Sequence, residues 1–143
     1  MAEGCGDGVL HNETFEGNLR ITDEESCAII GSDIAGNLRA RNVPNLLLLN
    51  NRVGGTIRVN GADTGVANVV ANTVFQGQIV VRDYETANFI ENETLNPEAG
   101  NIRVIGNTRA LVQKNISARN LICQENTTLA SFLNAAVMNL NCE

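Results

Sequence analysis

A short phrase recurs along this chain at a nearly constant interval, and that interval limits the available folds more than any other feature. GNLR begins at Gly17 and again at Gly36; GTIRV follows at Gly55, GQIVV at Gly77, GNIRV at Gly100 and a worn RNLIC at Arg119. A second landmark keeps the same beat, since VLHNETFEG ends at Gly17 and VVANTVFQG ends at Gly77. The Asn of that phrase recurs as Asn12, Asn51, Asn72, Asn92, Asn115 and Asn134, with Ser32 in its place once. The steps are 20, 19, 21, 20, 23 and 19 residues. A period near twenty that runs through 143 residues specifies a solenoid, whose repeats bury their apolar sides against one another.

The local pattern selects the kind of solenoid. After each Gly comes an alternating pair, Leu19/Ile21, Leu38/Ala40, Ile57/Val59, Ile79/Val81, Ile102/Val104 and Leu121/Cys123. Between the members of each pair stand Arg20, Arg39, Arg58, Val80, Arg103 and Ile122. This is a period of two, apolar inward and long or polar outward, which belongs to a strand. A second β-rich run precedes the Asn (AII, LLLL, NVV, NFI, LVQ), and no segment sustains a 3.6-residue stripe. The expectation is an all-β parallel β-helix, a single domain over residues 1–143 with six to seven coils of 19–23 residues, stacked at about 4.8 Å. Aromatics make up 3% of the chain, with no Trp and one Tyr, so stacked Val, Ile, Leu and Ala are expected to fill the core. Leu38, Ile57, Ile79 and Ile102 should form one inward column.

The 21 asparagines then acquire a reason. Asn tolerates a left-handed corner, and its amide can bond the same amide one coil away. Asn12, Asn51, Asn72, Asn92, Asn115 and Asn134 are read as such a ladder. Asn12, Asn92, Asn115 and Asn126 also begin N-x-S/T triplets, of which Asn126, outside the column, is best placed for a glycan.

Four cysteines allow three pairings, and the repeat chooses one. Cys123 and Cys142 are nineteen residues apart, one coil; Cys5 and Cys27 are 22 apart, one coil with a small loop. The pairs Cys5–Cys27 and Cys123–Cys142 would staple each terminal coil to its neighbour, at about 3 kcal/mol each. Disulfides imply an oxidising, extracellular or cell-surface location. The opening residues lack the regions of a secretory leader, so export implies a leader removed before this numbering.

The G-N-[LIV]-x-[VA] strands, the early Cys pair and the closing NLxC…C resemble small secreted bacterial β-helix proteins built from GN-V repeats. The resemblance covers Cys5 to Cys142, with Thr56 and Gln78 replacing the Asn and Arg119 the last Gly. It implies the fold and export, and it implies no activity.

Residues that carry chemistry are sparse. The one histidine, His11, stands beside the Asn column, and no nucleophile elbow, P-loop or HExxH is present. Asp23, Glu24 and Glu25 are read as a solvated loop before a calcium site. With no Trp there is little to stack a sugar ring on, and no Thr array suits ice. The chain is thus read as a non-enzyme without metal or cofactor. A net charge of −6 argues against nucleic acid, and no run of 18 apolar residues could span a membrane.

Two features remain. Arg20, Arg39, Arg58 and Arg103 should project from one sheet; pairing with loop carboxylates is the simpler expectation, a binding stripe for anionic polysaccharide the functional one. Both ends read as ordinary coils, so Val9 and Phe15 at one end and Val137 and Leu140 at the other form a candidate end-to-end interface. The leading expectation is a structural solenoid that polymerises head to tail into an extracellular filament, itself its own partner. The monomeric module with the Arg face is the alternative. Against the filament, LASFLNAAVMNL could instead form a capping helix with Phe132, Leu133, Ala136 and Leu140 inward.

Overall fold

The structure is a computed structural model that describes residues 2–5 and 8–142. Its strands form three parallel sheets, visited in turn by every coil. Sheet A holds eight strands: Ala2–Glu3, Leu19–Thr22, Leu38–Arg41, Ile57–Asn60, Ile79–Arg82, Ile102–Ile105, Asn120–Gln124 and Asn139–Asn141. Sheet B holds seven: Val9–His11, Ser26–Ile30, Asn45–Leu49, Val66–Val70, Thr86–Ile90, Arg109–Gln113 and Thr128–Phe132. Sheet C holds seven two-residue strands: Thr14–Phe15, Asp33–Ile34, Arg52–Val53, Thr73–Val74, Glu93–Thr94, Ile116–Ser117 and Ala135–Ala136. The result is a β-solenoid of about seven turns.

The inward column is the expected one. Leu19, Leu38, Ile57, Ile79, Ile102 and Leu121 align strand to strand and are at most 1% exposed. Sheet B contributes Ile29, Leu48, Val69, Phe89 and Val112, and sheet C contributes Ile34, Val53 and Val74. The core does contain rings, however. Phe89 and Tyr84 are its two largest fully buried side chains. Tyr84 donates its hydroxyl to the Val43 carbonyl at 3.0 Å, 41 residues back, and burial raises its phenol pKa well above the usual value. Gly61 lies in the ring's path: a Cβ there would sit 2.5 Å from it.

Irregular spacing is absorbed at corners, so strand register never slips. Two extra residues lie at Gly61–Thr64, one between Val74 and Ile79, and four between Thr94 and Ile102. The last insertion turns a carbonyl inward: Gly100 O accepts from Thr94 Oγ1 at 2.6 Å and from Ser117 Oγ at 2.8 Å. Thr94 and Ser117 thereby occupy, satisfied, the buried positions that apolar residues fill elsewhere in sheet C.

The ladder is built from Ser32, Asn51, Asn72, Asn92, Asn115 and Asn134, and Asn12 is not part of it. Each Asn Oδ1 accepts the backbone N–H of the preceding rung, from Asn134 to Asn115 (2.9 Å) down to Asn51 to Ser32 (2.9 Å). On the first coil Glu13 takes this position, its N–H donating to Ser32 Oγ at 3.1 Å. The true first step is therefore 19 residues, not 20. Asn12 stands one residue earlier, in the left-handed column Asn12, Gly31, Asn50, Ala71, Glu91, Lys114 and Leu133, with φ between 53° and 60°. The left-handed backbone and the amide ladder thus belong to neighbouring residues, and only the second demands Asn.

The C-terminal stretch is a further coil, not a capping helix. Thr128–Phe132, Ala135–Ala136 and Asn139–Asn141 each pair with the coil before, and Phe132, Leu133 and Leu140 are exposed while Ala136 packs on the core.

Candidate anion-binding groove

Sheet A places its outward residues by strand alternation. Arg20, Arg39 and Arg58 stand on three consecutive coils in direct register, Val80 follows, and Arg103 comes next. All four arginines are exposed, whereas Val80 between Arg58 and Arg103 is buried. The expected pairing with loop carboxylates is not found among the described residues. Among the described residues the ion pairs within 4.0 Å are Arg52–Asp33 (3.8 Å) and Arg82–Asp83 (2.9 Å), and neither involves the stripe. Parallel register explains this. It stacks like on like, so a strand repeated with Arg at one position sets Arg against Arg. Some acidic residues sit at corners, as do Asp23 and Asp83; Asp33 and Glu93 lie on sheet C, and Glu3 stands in register with Arg20 on the first strand of sheet A.

Beside these arginines runs the corner between sheets C and A, and here the GN phrase shows its second use. Asn18 Oδ1 accepts the Asn37 N–H and Asn37 Oδ1 accepts the Thr56 N–H, each at 2.8 Å; Thr56 Oγ1 takes the Gln78 N–H at 3.4 Å. The oxygens of this second ladder are turned to the backbone. The amide nitrogens of Asn18 and Asn37 have no hydrogen-bond acceptor among the described residues. Together with Arg20, Arg39 and Arg58 they line a groove of about 320 Å³, with Gln78 at its far end. Its polar wall is dominated by donors, which suits an oxyanion and disfavours a cation. Arg103 lies beyond Val80, outside this groove.

The remaining candidates are dispersed. His11 is exposed on the first strand of sheet B. Asp23 Oδ1 accepts from Asn42 Nδ2 at 2.8 Å and Glu24 Oε1 from the Cys5 N–H at 3.5 Å, so the acidic run braces neighbouring segments. Among the described residues no three His, Cys, Asp or Glu side chains converge as a metal site would require. The cysteines pair as Cys5–Cys27 and Cys123–Cys142, with Cα separations of 5.8 and 4.7 Å. Asn92 and Asn115 are buried in the ladder. Asn126, expected to be the best glycan acceptor, gives its amide to Val104 O at 2.9 Å, which leaves Asn12 as the fully exposed triplet. Val9, Val137 and Leu140 are 56%, 74% and 43% exposed, and Phe15 packs on the core. No helix among the described residues is long and apolar enough to cross a membrane.

The Asn18–Asn37 corner is the part of the site that sequence reasoning missed. The signal was in the repeat itself, because the Asn of GN recurs as faithfully as the Asn of the longer phrase. No family model, curated protein or solved structure matches this chain.

Proposed function

We propose that the protein is an extracellular binding module that holds anionic polysaccharide in the sheet A groove. The observation that carries this reading is the donor-lined groove: three arginines in register with no carboxylate within 4.0 Å among the described residues, beside two amides whose nitrogens meet no acceptor among them. Coil stacking spaces the guanidinium groups at about 4.8 Å, so a polymer with regularly repeated carboxylates or sulfates would engage several at once. The net charge of −6 gives such a ligand no long-range attraction, and binding relies on close, charge-assisted hydrogen bonds. Each is worth about 1.5–3 kcal/mol, or at least tenfold in affinity per arginine.

The test is retention on heparin and on polygalacturonate at low and high salt, with inorganic sulfate as competitor. Arg39→Ala/Arg58→Ala should weaken binding at least about 100-fold while melting as the parent does. A parent that passes both matrices unretained at low salt would sink the reading, as would a double variant that binds unchanged.

A second reading is end-to-end association, favoured by the last described coil. Of nine exposed large apolar side chains among the described residues, five (Phe132, Leu133, Val137, Met138 and Leu140) lie there. Sheet A has one strand more than sheets B and C, so the described coils make about seven and one-third turns. Electron microscopy tests it: uniform rods from the parent and dispersed particles from Val137→Asp are expected. Dispersed particles from the parent at every concentration reject it.

A further inference from the structure

We infer that the outer face of sheet B is an interface with a second copy of this chain, packed face to face about a two-fold axis. A solvated sheet face normally alternates to polar residues outside. Here the outward column Ile30, Leu49, Val70 and Ile90 is aliphatic on four consecutive coils. The next column adds Leu47 and Leu111, and all six side chains are half-exposed. The inward positions of the same strands are already filled by the core, so this second apolar face does not serve the solenoid's own packing.

Three observations choose the occupant. The first is charge: Arg109 is the one charged residue at the outward positions from Ser26–Ile30 to Thr128–Phe132, so two copies can approach despite −6 on each. The second is size. Six strands of five residues and one of three, at about 4.8 Å by 3.3 Å per residue, give a face of roughly 520 Å². Two such faces bury about 1,000 Å², at the lower bound for a specific interface. The third is an amide pair near the middle coils. Asn88 Nδ2 donates to Asn68 Oδ1 at 2.9 Å, which leaves Asn68 Nδ2 as a donor and Asn88 Oδ1 as an acceptor. A two-fold copy presents the same two groups in reverse order, so each donor meets an acceptor. An anionic lipid surface would call for a cationic rim, and a sugar lattice for aromatic platforms; the face has one Arg and only Phe132 at its edge. Sheet A stays uncovered in this arrangement, so the dimer carries two arginine grooves.

Sedimentation equilibrium tests the inference. The parent should approach twice the 15.3 kDa of one chain, and Leu49→Glu should raise the dissociation constant at least about 100-fold. Leu49→Thr/Ile90→Thr, which keeps good strand formers, should weaken the dimer in the same direction with an unchanged circular dichroism spectrum. Val137→Asp should leave the dimer intact, which separates this face from end-to-end contact. A parent that stays at 15.3 kDa up to millimolar concentration overturns the inference, whether or not neutral phosphatidylcholine vesicles then bind it. Assembly that survives the Thr double variant, or dissolves with Val137→Asp, overturns it as well.

Discussion

Replacing Asn72 by Ala isolates what the buried ladder contributes. Asn72 Oδ1 accepts from the Asn51 N–H (3.1 Å) and Asn51 Nδ2 (3.0 Å); its Nδ2 donates to Leu48 O (2.9 Å) and Asn92 Oδ1 (3.0 Å). The losses are unequal. Asn51 Nδ2 retains the Ile29 carbonyl at 2.8 Å, and Asn92 Oδ1 retains the Asn72 N–H at 3.0 Å. The Asn51 N–H loses its one acceptor, and the Leu48 carbonyl loses its side-chain donor, both at positions closed to water. At about 1–3 kcal/mol for each of these two buried groups, the cost is about 2–6 kcal/mol. That is a large share of the 5–15 kcal/mol typical of a domain, and corresponds to a melting temperature lower by about 10 °C. The control is Asn18→Ala, whose Oδ1 serves one exposed bond and whose loss should cost under about 1 kcal/mol. Urea titration of both variants decides the matter. If Asn72→Ala loses no more than Asn18→Ala, burial of the amides is not what makes the ladder stabilising.

Ile57→Asp puts a carboxylate into a fully buried column with no cation beside it, so the variant should fail to give a cooperative melt. Gly61→Ala should destabilise by about 1–3 kcal/mol, because the new methyl meets the Tyr84 ring; Gly61→Ala/Tyr84→Phe should not recover the loss, since the ring remains. A non-reduced peptide digest should link Cys5 to Cys27 and Cys123 to Cys142, and a Cys27–Cys123 peptide would contradict the stacking. Asn12 should be the first residue glycosylated if the chain is expressed through a eukaryotic secretory route; glycan found first on Asn92 or Asn115 would be incompatible with their burial.

The sequence alone determined the solenoid, its coil length, the sheet A core column and the cysteine pairs. All of these depend on residues one period apart, and stacking at fixed spacing converts a sequence period directly into spatial neighbours. It did not separate Asn12 from Glu13, because a left-handed corner and an amide rung both favour Asn and only pairing register tells adjacent positions apart. Tertiary structure alone decided three further things. Tyr84 reaches across a coil to Val43, which no one-period rule foresees. Among the described residues Arg39, Arg58 and Arg103 have no carboxylate within 4.0 Å, because parallel register sets Arg39 and Arg58 against other arginines and Arg103 against Val80 and Ile122. Sheet B carries an aliphatic column on its outward face as well as its inward one, a fact hidden in runs such as LLLL, where a buried residue and an outward one share the same letter. In such a run hydrophobicity carries no alternation, and only the direction of each Cβ from its strand shows which residues meet the core and which remain for a partner.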